Sequence, residues 1–88
     1  MKHLDGKVVL LTGATGGIGQ GIAEAFAAEG ARLILTGRNQ EKLQALANKL
    51  SALTDVLAVV TDVTDETQVQ AAFRQAIERF QRLDILVN

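Results

Sequence analysis

The chain has 88 residues and contains no cysteine, proline, tyrosine or tryptophan, and only one histidine. Without cysteine there is no disulfide, no thiolate metal ligand and no cysteine nucleophile. A disulfide-free chain suits a reducing compartment, and a cytoplasmic location is expected. Without tyrosine there is no phenol to exchange a proton with a substrate. The one histidine, His3, precedes the first apolar run and reads as a terminal residue rather than a catalytic base. Charge of one sign is also missing: nine Lys and Arg against ten Asp and Glu leave a net charge of −1. No basic surface for nucleic acid or an anionic membrane is therefore expected. No apolar run approaches the roughly 20 residues of a membrane span. The opening Met1-Lys2-His3-Leu4-Asp5-Gly6 carries an acid and lacks the apolar stretch of a secretory signal.

What remains is an ordinary globular composition, 48% apolar and 22% charged. Its apolar residues fall into alternating short runs and helical stripes. Lys7 to Thr12 reads as a buried strand, and Ile18 to Glu29 as a helix with Ile18, Ile22, Ala25 and Phe26 near one face. Gly30 follows as a C-terminal stop. Arg32 to Thr36 is a second strand. Asn39 is placed to cap a helix whose Leu43, Leu46, Ala47 and Leu50 share a face. Val56 to Thr61 is a third strand. Thr64 is expected to cap the last helix, whose stripe is Val69, Ala72, Phe73, Ala76, Ile77 and Phe80. Asp84 to Asn88 begins a fourth strand.

Strands alternating with amphipathic helices imply an α/β fold on a parallel sheet. The expectation is a Rossmann-type doubly wound sheet in the order βαβαβαβ, with strands arranged 3-2-1-4. A final strand with nothing beyond it leaves a bare edge. Residues 1–88 are thus expected to be a partial domain, the N-terminal part of a larger unit.

The densest signal is Thr12-Gly13-Ala14-Thr15-Gly16-Gly17-Ile18-Gly19, between the first strand and the first helix. Glycines let a backbone turn sharply and approach a ligand, and a helix start offers free N–H groups to an anion. The spacing T-G-x-x-x-G-x-G is not the common G-x-G-x-x-G. It serves the same purpose: Gly13 for the turn, Gly17 to admit a pyrophosphate, Gly19 for close packing of helix on strand. Thr12 can tie the turn through its hydroxyl. A P-loop is excluded, because no lysine lies between Lys7 and Lys42. A glycine-rich turn that binds nothing is the plain alternative.

The end of the second strand reads Thr36-Gly37-Arg38-Asn39. An acid in this region would accept from a ribose 2′-hydroxyl; a guanidinium instead pairs with a 2′-phosphate. NADP(H) is therefore expected over NAD(H), unless Arg38 is a solvated surface charge. Asp62-Val63 follows the third strand at the carboxyl edge, where a carboxylate reaches an adenine amino group or caps the next helix. Asp5, Asp55, Asp65 and Asp84 read as turn or cap residues.

Taken in order, Leu4-Asp5-Gly6-Lys7-Val8, Thr12 to Gly19, Thr36 to Asn39, Asp62-Val63-Thr64 and Leu83-Asp84-Ile85-Leu86-Val87-Asn88 resemble the short-chain dehydrogenase/reductase family. The resemblance runs the whole chain, covers about the first third of a family member, and implies that residues 1–88 are a partial NAD(P)-binding Rossmann domain, the N-terminal part of a single-domain reductase. Gly13, Gly16 and Gly19 also satisfy T-G-x-x-G-x-x-G, the pattern of the family's longer branch. The later motifs look more like the ordinary branch, and 3-oxoacyl-acyl-carrier-protein reductases are the nearest likeness. The resemblance implies that Thr15 and the Ile18 backbone contact cofactor phosphates, Arg38 the 2′-phosphate, and Asp62 and Val63 the adenine. It implies that Asn88 opens an Asn-Asn-Ala-Gly motif beside the adenosine. Many NADP-using members carry a basic residue where this chain has Gly16, which leaves Arg38 alone for that task. The family's serine, tyrosine and lysine that act on a carbonyl or alcohol fall beyond residue 88, so no catalytic residue is assigned here. A homo-oligomer is also implied. A stand-alone dinucleotide-binding module, or a half-domain that self-associates through its fourth strand, are the competing expectations.

Overall fold

The computed structural model describes residues 3–88. Seven elements follow one another: β1 (Val8–Leu11), α1 (Gly17–Ala28), β2 (Arg32–Gly37), α2 (Gln40–Leu50), β3 (Val56–Val60), α3 (Glu66–Phe80) and β4 (Ile85–Val87). All strand pairs are parallel, in the order β3-β2-β1-β4, as the sequence predicts. β1 is central, hydrogen-bonded to β2 through Val8↔Arg32 to Leu11↔Leu35 and to β4 through Val9↔Ile85 to Leu11↔Val87.

Alternation along the strands divides the core in two. Val9, Leu11, Leu33 and Leu35 pack with Ala23 and Ala27 of α1 and with Leu43, Leu46, Ala47 and Leu50 of α2. Val8, Leu10, Ile34 and Val59 pack on the opposite face with Ala72, Ala76 and Phe80 of α3. This two-sided burial explains why the strands read as unbroken apolar runs instead of alternating ones. Among the described residues, no helix is long and apolar enough to cross a membrane.

Helix ends follow local chemistry. At the end of α1, Gly30 has φ +87°, its N–H donates to Ala27 O, and the N–H of Ala31 donates to Phe26 O. This pair of bonds is a Schellman closure. Asn39 caps α2 by accepting from the Lys42 N–H at 3.0 Å. Three expectations are corrected. The cap of α3 is Asp65, not Thr64: its carboxylate accepts from the Thr67 and Gln68 N–H groups. Ile18 and Ala25 do not belong to the buried face of α1. That face is formed by Ala23 and Ala27, flanked by half-buried Ile22 and Phe26, and Ile18 stands 82% exposed. Ile77, expected on the stripe of α3, is 48% exposed: the packed line of α3 runs through Ala72, Ala76 and Phe80, and Ile77 is not part of it.

Asp84 does more than end a turn. Its Oδ2 accepts from the Val8 N–H at 2.8 Å, and its own N–H donates to Val8 O at 2.9 Å. Arg82 grips the same carboxylate through Nε at 2.8 Å and Nη2 at 2.7 Å. The two bonds to Val8 extend the pairing of β4 with β1 by one residue before Val9↔Ile85. Arg82 first, and then the Val8 N–H, hold the Asp84 carboxyl below the usual carboxylate range, against a smaller opposing effect of desolvation. A lowered folded-state value stabilises the fold above the unfolded value, and the benefit is lost as pH falls through the folded one. Asp84→Asn is therefore expected to lower the melting temperature at neutral pH. The deficit against the parent chain should shrink below about pH 4, as followed by circular dichroism melts across pH.

Gln81 ends α3 with φ 61°, the one left-handed residue other than glycine among those described. Left-handed backbone crowds Cβ against the following carbonyl. Gln81→Gly is expected to raise stability by about 0.5–1 kcal/mol, measured by urea denaturation.

Candidate functional site

Because the strands are parallel, their carboxyl ends open on one edge. Thr12 follows β1, Arg38 follows β2, Thr61 and Asp62 follow β3, and Asn88 follows β4. The chain leaves β1 towards β2 and β3, then returns to place β4 on the other side of β1. Ligands of open α/β sheets bind in the crevice at such a reversal. Thr12 bridges it: its N–H donates to Val87 O at 2.9 Å, and its hydroxyl lies 3.3 Å from Val87 O and 3.5 Å from Asn88 Oδ1. The contacts of the hydroxyl are thus with the end of β4 and with Asn88, and not within the turn as expected.

The glycine turn is held at several points. Gly13 has φ +64°, which carries the chain sharply off β1. Buried Ala14 donates its N–H to Thr36 O at 3.0 Å, pinning the turn to β2. The Gln20 carboxamide donates to Thr15 O at 3.1 Å. Gly19 faces the turn so closely that a Cβ there would collide with the Gly13 carbonyl oxygen and stand 3.1 Å from Ala14 Cα. A Cβ at Gly17 would meet nothing within 4 Å, so that side of the turn is open.

The start of α1 differs from the other two helices. Gly16 at the N-cap offers no side chain, and the first turn has no acid. α2 and α3 are capped by Asn39 and Asp65 and carry Glu41 and Glu66 in their first turns. The first-turn amides of α1 are consequently left without a side-chain acceptor, at the positive end of the helix dipole. Gly13, Gly16, Gly17, Ile18 and Asn88 line a cleft on one side of the turn. Ile18 is exposed because it borders this cleft.

A second cleft lies on the other side, lined by Gly13, Thr15, Gly37, Arg38 and Val63. Thr15 stands against β2 here: a Cβ on Gly37 would lie 3.4 Å from its Oγ1. Arg38 Nη2 is 3.0 Å from Asp62 Oδ1. The same oxygen accepts from the Thr64 N–H at 2.9 Å and the Thr64 hydroxyl at 2.6 Å. The Asp62 N–H donates to Gln68 Oε1 at 2.8 Å. The Thr64 hydroxyl first, then the Thr64 N–H, hold the Asp62 carboxyl below its usual range. Arg38 adds a smaller effect, and desolvation opposes them. Asp62 therefore forms a turn ahead of α3 and does not cap it.

The structure brings Thr12, Gly13, Thr15, Gly16, Gly17, Ile18, Gly19 and Asn88 together around the turn, and Arg38, Asp62 and Val63 beside it. Two features were not read from the sequence. One is the Arg38–Asp62 pair. The other is Gln68, which also donates to Asp65 Oδ2 at 3.2 Å and so braces both acids. The Asp65-x-x-Gln68 spacing, that of a capping box, is the sequence signal for it. His3 sits away from the site, where its N–H donates to Glu29 Oε2 at 3.1 Å and its Nδ1 lies 3.4 Å from the same oxygen.

Residues 7–88 match the sequence profile of the family described as short chain dehydrogenase, and the chain belongs to that family. It is 47% identical over 81 residues to sulfoacetaldehyde reductase 2 of Chromohalobacter salexigens, across 92% of this chain and 32% of that one. The fold matches L-sorbose reductase from Gluconobacter frateurii, solved with NADPH and L-sorbose, at TM-score 0.93 and 38% identity. That match covers 99% of this chain and 34% of the other. It also matches 3-ketoacyl-(acyl-carrier-protein) reductase from Brucella melitensis, solved with NADH, at TM-score 0.86 and 36% identity, over 93% and 33%. The chain thus spans about a third of the length of these relatives. A nicotinamide dinucleotide is common to both structures, in one case phosphorylated and in the other not.

Gly19→Ala is expected to push α1 away from the turn and destabilise the chain by about 1–3 kcal/mol. Gly17→Ala, with open space at Cβ, should leave stability within about 1 kcal/mol of the parent. Chemical denaturation of the two variants measures this difference in packing.

Proposed function

We propose that this chain is the cofactor-holding part of a short-chain oxidoreductase that prefers NADP(H) to NAD(H). The observation that carries the reading is the pairing of the uncapped start of α1 with Arg38 at the end of β2, where Gly37 and Arg38 stand in place of an acid. The residues fit a dinucleotide in kind. The open amides of α1 suit a pyrophosphate, and Gly17 presents no Cβ to obstruct it. Arg38 is the one cation among Thr12 to Gly19 and Thr36 to Asn39, and it suits a 2′-phosphate. Asp62 and Val63 border the adenine side, and Asn88 the adenosine beside β4.

When bound, the nicotinamide supplies a hydride to a carbonyl carbon or takes one from an alcohol. The residues described here bind and orient. Thr12 fixes the turn to β4, Thr15 stands between the turn and β2, and the amides of Gly17 and Ile18 would hold the phosphates. No tyrosine is present to exchange the substrate's proton. The full reaction, a 3-oxoacyl-like or other carbonyl substrate, a cytoplasmic location and a homo-oligomeric state are proposed for the whole enzyme. The binding role is proposed for these residues.

A second reading draws on β4, whose outer edge pairs with no other strand among the described residues and whose Leu86 is 47% exposed. Two copies joined along that edge would complete one another. Sedimentation as a monomer at tens of micromolar would exclude this arrangement.

Arg38→Ala is expected to weaken NADP+ binding about tenfold and NAD+ binding less than about twofold, read by titration calorimetry on the 88-residue chain. An equal loss for both would remove the NADP preference. No heat with either dinucleotide would remove the binding role.

A further inference from the structure

Arg38 pairs with an acid of the chain itself. β2 and β3 pair through Gly37↔Val60, and the Thr61 N–H donates to Gly37 O at 2.9 Å. The residues just past each strand end, Arg38 and Asp62, are thereby set side by side. Their ion pair, 3.0 Å long, holds Arg38, a residue that lines the second cleft.

The two partners are held unequally. Asp62 is anchored by the Thr64 N–H, the Thr64 hydroxyl and the Gln68 carboxamide. The Arg38 side chain is 69% exposed, and Asp62 is its one hydrogen-bond partner among the described residues. If Arg38 swings away, Asp62 Oδ1 keeps two donors, so the pair opens without leaving a bare carboxylate. The movable partner is therefore the arginine.

We propose that Asp62 is a specificity-determining residue that acts through Arg38: its carboxylate latches the guanidinium, and a 2′-phosphate must take Arg38 from Asp62 in order to bind. This rests on the dinucleotide reading above. A phosphate and a carboxylate sharing one exposed guanidinium repel each other, and no second cation within Thr12 to Gly19 offsets that repulsion. A 2′-hydroxyl carries no charge and leaves the latch closed. The preference for a 2′-phosphate is thus set by the difference between two partners of one arginine, not by Arg38 alone. The pair is exposed, so the latch reduces that preference only a few-fold.

The test uses adenosine 2′,5′-bisphosphate and 5′-AMP, which probe the adenosine side alone. Their dissociation constants are measured by calorimetry for the 88-residue chain, Asp62→Asn, Arg38→Ala and the double variant. The readout is the ratio of the 5′-AMP constant to the bisphosphate constant, which cancels effects on adenine shared by both probes. Asparagine keeps an oxygen for the Thr64 donors, so the turn is retained. Asp62→Asn is expected to raise the ratio about two- to fivefold when Arg38 is present, and distinctly less in the Arg38→Ala background. An unchanged or lowered ratio in Asp62→Asn would overturn the latch while leaving the NADP reading intact. An equal rise in both backgrounds would also overturn it, by showing that Asp62 repels the phosphate directly. If Arg38→Ala leaves the parent ratio unchanged, the NADP reading fails and the latch falls with it.

Discussion

The structure depends first on the confinement of β1. Its four residues, Val8 to Leu11, are buried, with a strand on each side and helices on both faces. No backbone group in such a strand can reach water, so every N–H and C=O must find a neighbour. That requirement locks β2 and β4 into register. It also fixes the point at which the chain leaves the sheet, at Thr12. The glycine turn, the start of α1 and the ends of the other strands all take their positions from that exit.

Packing then decides how near the helix comes. Small residues line the buried side of α1, Ala23 and Ala27, with Ala14 buried beneath the turn. Gly19 completes the approach, since its missing Cβ leaves room for the Gly13 carbonyl. The helix consequently points its uncapped end into the crevice between β1 and β4. Elsewhere the chain caps its helices with Asn39 and Asp65, so a missing cap at α1 is a local departure from its own pattern. A site that attracts an anion and a helix stabilised by its own acid are incompatible at one terminus.

Much of this was legible in the sequence. Unbroken apolar runs gave the strands, helical spacing gave α2 and α3, and Gly30 and Asn39 marked helix ends where the structure has them. The strand order followed from the Rossmann pattern to which the alternating elements and the glycine turn point. The glycine turn and Arg38 could be singled out because their chemistry is local. The misreadings share a cause. Ile18 and Ile77 were placed on buried faces by periodicity, which says which residues share a side but not how far the sheet extends beneath them. Thr64 and Asp65 are both competent caps, and the geometry of the turn around Asp62 chose between them. Asp84 looked like an ordinary turn acid because its partner, Val8, is 76 residues away.

The sequence by itself determined the order of elements, the turn that opens on a helix start, the cation after β2 and the absence of a tyrosine. Each is a property of one residue or of a short spacing. Only the tertiary structure decided that Arg38 meets Asp62, that Asp84 fastens β4 to β1, and that Thr12 reaches Asn88. Those pairs are far apart along the chain and are joined by the register of parallel strands. That register is set by burial and backbone hydrogen bonding over the whole sheet, and no local pattern encodes it.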